Sequence, residues 1–237
     1  MRAIIMAGGK GIRLKPYTKT IPKPLMPIGD ETPILEIIIK QLAKSGFDHI
    51  TIAVSHMAQL IMAFFGDGAR WGVKIDYSIE DKPLSTIAPI TLIPNLEDHF
   101  LVMNGDILCN LDYKSFYDHH VSRDNDVTVA VYNRNVKIDF GVLKFNENNL
   151  ITDFSEKPIY HFDVSMGVYC LSRRVIEMLP RNLPYGFDNL MTDGIRNSNK
   201  MEVKSFDGFW LDIGRPDDYD YANEHSREIL EKMGINN

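Results

Sequence analysis

The 237-residue sequence is poor in cysteine: Cys109 and Cys170 stand far apart, each inside an apolar run. That spacing excludes a disulfide framework and a thiolate metal cage, and it predicts two buried, reduced thiols. The chain also lacks any block of five or six like charges, its formal net charge of −6 being spread along its length. Without a basic cluster to follow a phosphate backbone, nucleic acid is not expected as a partner. A net acidic protein can still bind anions wherever a few cations and backbone amides converge. No apolar stretch is long enough to cross a bilayer, and Met1-Arg2-Ala3-Ile4-Ile5-Met6-Ala7 is too short a run for a secretion signal. A cytoplasmic protein with no membrane partner is expected. No Pro/Ser-rich linker, low-complexity tract or repeat divides the chain, so residues 1–237 are expected to form a single domain.

What the chain does have is 44% hydrophobic residues, enough for a substantial core. Apolar runs over 3–7, 49–54, 74–78 and 100–103 predict strands, and helical periodicity over 33–45 and 57–65 predicts the elements between them. The alternation predicts an α/β fold: a Rossmann-like, doubly wound, mixed but mostly parallel sheet with helices on both faces. After a helix over 113–123 the strands crowd together at 127–132, 141–145, 151–154 and 164–171. This density predicts an antiparallel extension rather than further crossovers. A charged stretch over 216–233 predicts one closing helix.

Gly8-Gly9-Lys10-Gly11-Ile12-Arg13-Leu14 follows the first strand. Glycines there let the backbone turn sharply and carry its amides close to phosphate oxygens. The loop fits neither G-x-G-x-x-G nor G-x-x-x-x-G-K-[ST], and no acid ends the second strand to hold a ribose, so dehydrogenase chemistry is a minor alternative. Downstream, Pro22-Lys23-Pro24-Leu25-Met26-Pro27 holds Lys23 on an extended support stiffened by three prolines. Asp106 follows Phe100-Leu101-Val102-Met103-Asn104-Gly105, at the carboxyl end of a strand, where open α/β sheets bind ligands. Asp212 sits among Phe209-Trp210-Leu211 and Ile213-Gly214, where an unpartnered carboxylate would be costly. Two such carboxylates converging on one point can hold Mg²⁺ against phosphate oxygens, since that ion keeps much of its water.

The Gly8-Gly9-x-Gly11-x-Arg13-Leu14 loop followed by Pro22-Lys23-Pro24 resembles the signature of the sugar-phosphate nucleotidylyltransferase family, and the likeness runs to about Asn223. The resemblance implies a nucleotide-binding half over about 1–112 and a sugar-binding half over about 113–225. It implies catalytic roles for Arg13 on the triphosphate and Lys23 on the α-phosphate, and a nucleotide cradle of Ala7, Gly8, Gly9, Gly11, Glu80, Ser85 and Thr86. Asp106 and Asp212, in patterns similar to the family's G-D and W-x-D-x-G, would hold the catalytic metal, with Mg²⁺ as cofactor. Asp139-Phe140-Gly141-Val142, Ser155-Glu156-Lys157-Pro158 and Ser165-Met166-Gly167 resemble three successive family segments around the sugar phosphate. They imply sugar-phosphate roles for Asn104, Gly141, Glu156, Lys157 and Gly167. Two departures stand out: Ser85 and Ala88 replace glycines common in the base-binding segment, and Ser165-Met166 replaces a common Asn-Ala.

The function expected is joining of a nucleoside triphosphate to a sugar 1-phosphate with loss of pyrophosphate, by in-line attack of an oxygen that is already anionic. Glu80 could accept from the two adjacent donors of guanine, where uracil and thymine offer one. GTP with a mannose- or heptose-type sugar is therefore the first expectation, and thymidylyl, uridylyl or cytidylyl transfer to another hexose 1-phosphate the second. Two further classes are weighed: a nucleotide-sugar binding or regulatory protein that has lost activity, and a glycosyl transferase, for which the triphosphate loop would have little purpose. Assembly into a homo-oligomer is left open.

Overall fold

The computed structural model describes residues 1–29 and 32–235. From the N-terminus the chain forms strand β1 (Arg2–Met6), the short pair β2 (Pro27–Ile28) and β3 (Thr32–Pro33), helix α1 (Ile34–Lys44), strand β4 (His49–Val54), helix α2 (Ala58–Phe65), strands β5 (Lys74–Ile79), β6 (His99–Asn104) and β7 (Ile107–Cys109), and helix α3 (Tyr113–Ser122). It continues through β8 (Val127–Lys137), β9 (Val142–Phe145), β10 (Ile151–Ser155), β11 (Ile159–Ser172), helices α4 (Arg173–Glu177) and α5 (Phe187–Arg196), strands β12 (Met201–Phe206) and β13 (Trp210–Asp212), and helices α6 (Pro216–Glu224) and α7 (Ser226–Lys232).

Seven strands make the central sheet, in the order β12-β8-β11-β6-β1-β4-β5. β1 pairs in parallel with β4 and β6, β4 with β5, and β8 with β12, while β11 runs antiparallel to both its neighbours. Successive side chains leave a strand on opposite faces, and here both faces are covered. Ala3, Ile5, Leu101, Met103, Val168 and Cys170 pack towards a core that includes α1 and α7. Ile4, Phe100, Val102, Tyr169 and Leu171 pack towards the other, beneath α4 and α5. Strands buried on both sides need to be apolar throughout, which is why Ala3-Ile4-Ile5 and Phe100-Leu101-Val102-Met103 read as unbroken runs. Cys109 and Cys170 are both buried and free, and burial pushes both thiols above their ordinary pKa.

The antiparallel extension is present. β8 and β11 stay paired beyond the sheet, from Tyr132 opposite Val164 to Lys137 opposite Ile159, and β9 and β10 form a separate antiparallel pair. This arm carries Phe140, Phe145, Leu150, Ile151 and Phe154 exposed on its surface.

Two features differ from the sequence-based expectation. The closing helix over 216–233 is two helices, α6 and α7, broken at His225, whose φ of −108° and ψ of 18° leave the helical range. The break redirects the chain so that Ile229, Leu230 and Met233 reach the core, and Asn223 accepts a hydrogen bond from Gly29 N at 3.1 Å. Second, the short strands β2, β3, β7 and β13, the edge strand β12 and helices α4 and α5 were not foreseen; Met201–Phe206 has no regular alternation, with Val203 exposed, and gains its identity only by pairing with β8.

Core and arm are expected to differ sharply in what they contribute to stability. Phe100→Ala, at a fully buried position, should cost about 3–5 kcal/mol, while Phe145→Ala, two-thirds exposed at 66%, should cost less than about 1 kcal/mol. Denaturant unfolding of the two variants checks the contrast.

Candidate active site

The end of β1 and the end of β6 are tied together. Ala7 N donates to Ala53 O at 2.8 Å and Gly105 N donates to Met6 O at 2.9 Å, so the glycine loop and the Asp106 turn leave the sheet side by side. A Cβ on Gly105 would lie 3.1 Å from Met6 O, so the turn fits only closely against β1. The loop and the turn enclose a cavity of about 540 Å³ lined by Gly8, Gly9, Gly11, Arg13, Lys23 and Asp106, among others. Gly11 has a φ of +59°, its added Cβ would fall 2.8 Å from Thr18 Cγ2, and Thr18 Oγ1 donates to Gly11 O at 2.7 Å. Its glycine is therefore demanded by the fold. Gly9 is different: its φ lies outside the left-handed region and a Cβ there would meet nothing within 4 Å. Nothing in the protein requires a glycine at 9, and the open space in front of it is the cavity.

Lys23 reaches the same cavity from the short helix Lys23–Leu25, which is extended at Pro22, and its ammonium bonds to Asp106 Oδ2. Asp212 arrives from far along the chain. β13 pairs antiparallel with β7, with Asp212 opposite Ile107, and Ile213 N donates to Asp106 O at 3.1 Å. The ladder thus sets the two aspartates beside each other. Desolvation of its carboxyl by the surrounding protein, although the residue keeps contact with solvent, and the like charge of Asp106 hold the Asp212 pKa above the ordinary range, with Lys23 and Arg13 acting in the opposite direction. A Cβ on Gly214 would sit 3.6 Å from both the Arg13 guanidinium and Asp212 Oδ1, which marks how closely those groups gather. Among the described residues no three His, Cys, Asp or Glu side chains form a metal cage; a pair of carboxylates is what the site offers.

A second cavity, of about 360 Å³, continues past Glu80 and is lined by Ser85, Thr86, Pro89 and Asn104. Glu80 Oε2 accepts from Leu84 N at 3.0 Å, closing the loop that carries Ser85. Thr86 Oγ1 accepts from Phe187 N at 2.9 Å, and Ile87 N and Ala88 N both donate to Tyr185 O. The expected conflict at the two former glycine positions resolves unequally. Ser85 does adopt a left-handed φ of +70°, whereas Ala88 begins a short helix outside that region, with its methyl fully buried.

The residues assigned to the sugar side divide into two groups. Asn104 lines the second cavity, and a Cβ on Gly167, whose φ is +75°, would lie 2.7 Å from its Nδ2. Gly141, Glu156 and Lys157 gather instead along the arm, between the outer end of the β8–β11 pairing and the β9–β10 pair. A Cβ on Gly141 would lie 3.3 Å from Glu156 Oε2, Ile138 N donates to Pro158 O at 3.0 Å, and both charged side chains are exposed. They line none of the cavities around the aspartate pair. Sequence reasoning missed a third compartment of about 450 Å³ beyond Asp212, lined by Tyr132, Arg134, Trp210, Arg215 and Asp218. Trp210 and Arg215 flank the Asp212 motif, but no local pattern marks Tyr132 and Arg134.

Residues 2–229 match the family model for nucleotidyl transferases. The chain belongs to the nucleotidyl transferase family. It is 32% identical over 245 residues to the UTP–glucose-1-phosphate uridylyltransferase of Synechocystis sp., an alignment covering 92% of this chain and 61% of that protein. It is 31% identical over 232 residues to the mannose-1-phosphate guanyltransferase of Aspergillus fumigatus, covering 92% and 62%. The chain thus spans about three fifths of the length of these curated relatives. HddC from Yersinia pseudotuberculosis superposes with a TM-score of 0.73 at 28% identity, over 95% of this chain and 99% of that one. Its crystal structure complexed with GMP-PN superposes with a TM-score of 0.72 at 27% identity over the same shares. The glycine loop and the Pro22-Lys23-Pro24 segment therefore pointed to the right nucleotidyl transferase family.

The two loop glycines should separate fold from ligand. Gly11→Ala should destabilise by about 1–2 kcal/mol or more through its backbone conformation and the Thr18 contact, while Gly9→Ala should unfold within about 0.5 kcal/mol of the parent yet bind nucleoside triphosphate less tightly. Thermal unfolding paired with nucleotide titration distinguishes them. Asp212 supplies a second expectation. A carboxyl whose pKa is raised by folding stabilises the protein only while protonated, and that contribution is lost as pH rises through the folded pKa. Asp212→Asn should therefore raise the melting temperature at pH 7 in the presence of a chelator, and the gain should shrink as the pH falls towards the ordinary carboxylate range.

Proposed function

We propose that the protein transfers a nucleotidyl group from a nucleoside triphosphate to a sugar 1-phosphate. The observation that carries this reading is that the Gly8–Gly11 loop, Arg13, Lys23 and Asp106 line one cavity, with Asp212 set beside Asp106 from the adjoining compartment. Loop amides and the Arg13 fork suit the β- and γ-phosphates, and Lys23 suits the α-phosphate. An oxygen of the sugar phosphate forms a new bond to the α-phosphorus as the bond from that phosphorus to the bridging oxygen breaks, and pyrophosphate leaves with the electron pair. The nucleophile is anionic at neutral pH, so no general base is required and positioning carries the rate.

The aspartate pair fits Mg²⁺: two carboxylates set side by side, one with its pKa raised by desolvation and then by the other's charge, are stabilised by a cation that takes few protein oxygens. When bound, that ion supplies charge neutralisation at the α-phosphate. Lys23, held on Asp106, would then be free to follow the reacting phosphate. Glu80 keeps its second carboxylate oxygen for the two neighbouring donors of guanine. GTP is accordingly the favoured nucleotide, with a mannose- or heptose-type sugar favoured for the other substrate. The names of the mannose-1-phosphate guanyltransferase relatives and the GMP-PN complex of HddC support that choice. On the same reading Glu156 and Lys157 act on the sugar side, residues 1–112 and 113–225 form nucleotide and sugar halves of one domain, and the enzyme works in the cytoplasm.

Incubation with Mg²⁺, each common nucleoside triphosphate and a panel of sugar 1-phosphates tests the proposal, with pyrophosphate release and product mass as readouts. One pair should yield a nucleotide-sugar. Lys23→Ala and Asp106→Asn should lower turnover at least about a hundredfold, as expected when charge stabilisation at the reacting phosphate is removed, with unchanged circular dichroism. Pyrophosphate formed without sugar, or nucleotide binding without any product across the panel, would overturn it.

A further inference from the structure

The compartment beyond Asp212 is unusually rich in unpaired guanidinium groups. Arg13, which it shares with the loop cavity, is joined there by Arg134 from the arm and Arg215 from the start of α6. Elsewhere Arg2, Arg123, Arg173, Arg174, Arg196 and Arg227 each meet a carboxylate and Arg70 lies over the Trp71 ring, while Arg181 stands alone. Among the described residues Arg134 and Arg215 meet none. The two acids nearby are already engaged. Asp218 Oδ2 accepts from Gly214 N at 3.1 Å and Arg215 N at 2.7 Å, capping α6, and Asp212 faces Asp106. The compartment also has an apolar wall. Tyr132 and Trp210 lie 5.3 Å apart, tilted by 39°, and Trp210 is fixed by its Nε1 donating to Met166 O at 3.1 Å. Tyr132 and Arg134 are two apart on β8 and so share a face.

An aromatic wall suits the C–H face of a sugar ring, and guanidinium forks suit carboxylate or phosphate oxygens. On the transferase reading Arg13 serves the triphosphate, and the sugar 1-phosphate meets the reacting α-phosphate beside Lys23 and the aspartate pair, which leaves Arg134 and Arg215 without a counter-charge. Resting on the transferase reading above, we infer that the sugar substrate carries a second anionic group, a carboxylate or a phosphate, which Arg134 and Arg215 hold while Tyr132 and Trp210 pack against the ring.

The test compares a neutral hexose 1-phosphate, a hexuronic acid 1-phosphate and a hexose 1,6-bisphosphate, in turnover with the productive nucleotide and in calorimetric titration without nucleotide. One anionic sugar should show a KM and a dissociation constant at least about tenfold below the neutral sugar, and which of them does so identifies the group as carboxylate or phosphate. Arg134→Ala and Arg215→Ala should each raise that KM about tenfold, the size expected for losing one charge-assisted contact, while the KM for nucleotide stays within about twofold; Arg134→Lys should recover part of the loss. Equal affinity for neutral and anionic sugars in the parent protein, or arginine variants that keep the parent's full preference for the anionic sugar, would overturn the inference and leave the transferase reading untouched. Charge-selective binding without turnover would support the inference and count against transfer.

Discussion

The hydrogen bond from Gly105 N to Met6 O is the contact from which the cleft takes its shape. It joins the carboxyl ends of β1 and β6, so that a loop able to offer amides and a turn bearing a carboxylate leave the sheet at one level. The bond is possible because the two strands run parallel in register, Met6 beside Asn104, and because residue 105 has no side chain to push the turn away. Everything later in the site is referred to this edge: Lys23 reaches Asp106, β13 docks beside β7, and Arg13 gathers near Gly214.

The electrostatic arrangement works against the fold and towards chemistry. Desolvation by the surrounding protein, and after it repulsion from the neighbouring Asp106, are why the Asp212 carboxyl holds its proton to higher pH than usual. A protein optimised for stability alone would replace one of the two aspartates with a neutral residue. Lys23 and Arg13 reduce the repulsion without removing it, so the site keeps charges of both signs close together. Ser85 is a second local cost of this kind, an L-residue held in a left-handed conformation at the mouth of the second cavity.

Much of this was legible in the sequence where the information is local. A buried parallel strand has to be apolar on both faces, so β1, β4 and β6 announced themselves; the glycine loop and its prolines did the same, and led to the family. Asp106 and Asp212 were recognisable as candidates because each follows an apolar run. That they meet was implied only by the family resemblance and by no local pattern, since it depends on a three-residue pairing between β7 and β13, about a hundred residues apart. The break at His225 was hidden for a similar reason: the charge pattern of 216–233 is helical throughout, and only the docking of Ile229 and Leu230 into the core requires a change of direction. Arg134 and Tyr132 lay in a strand whose alternation looks like any solvent-facing edge, and Thr86 acquires its partner from α5.

The β7–β13 pairing has a consequence for the order in which the cleft comes into being during synthesis. By the time residue 109 has left the ribosome, the glycine loop, Lys23, Asp106 and the strand that will receive β13 all exist. The second carboxylate does not emerge until about a hundred residues later. A growing chain therefore possesses the glycine loop long before it possesses the paired acids, and completion of the cleft waits on the return of the C-terminal third to the first-made sheet.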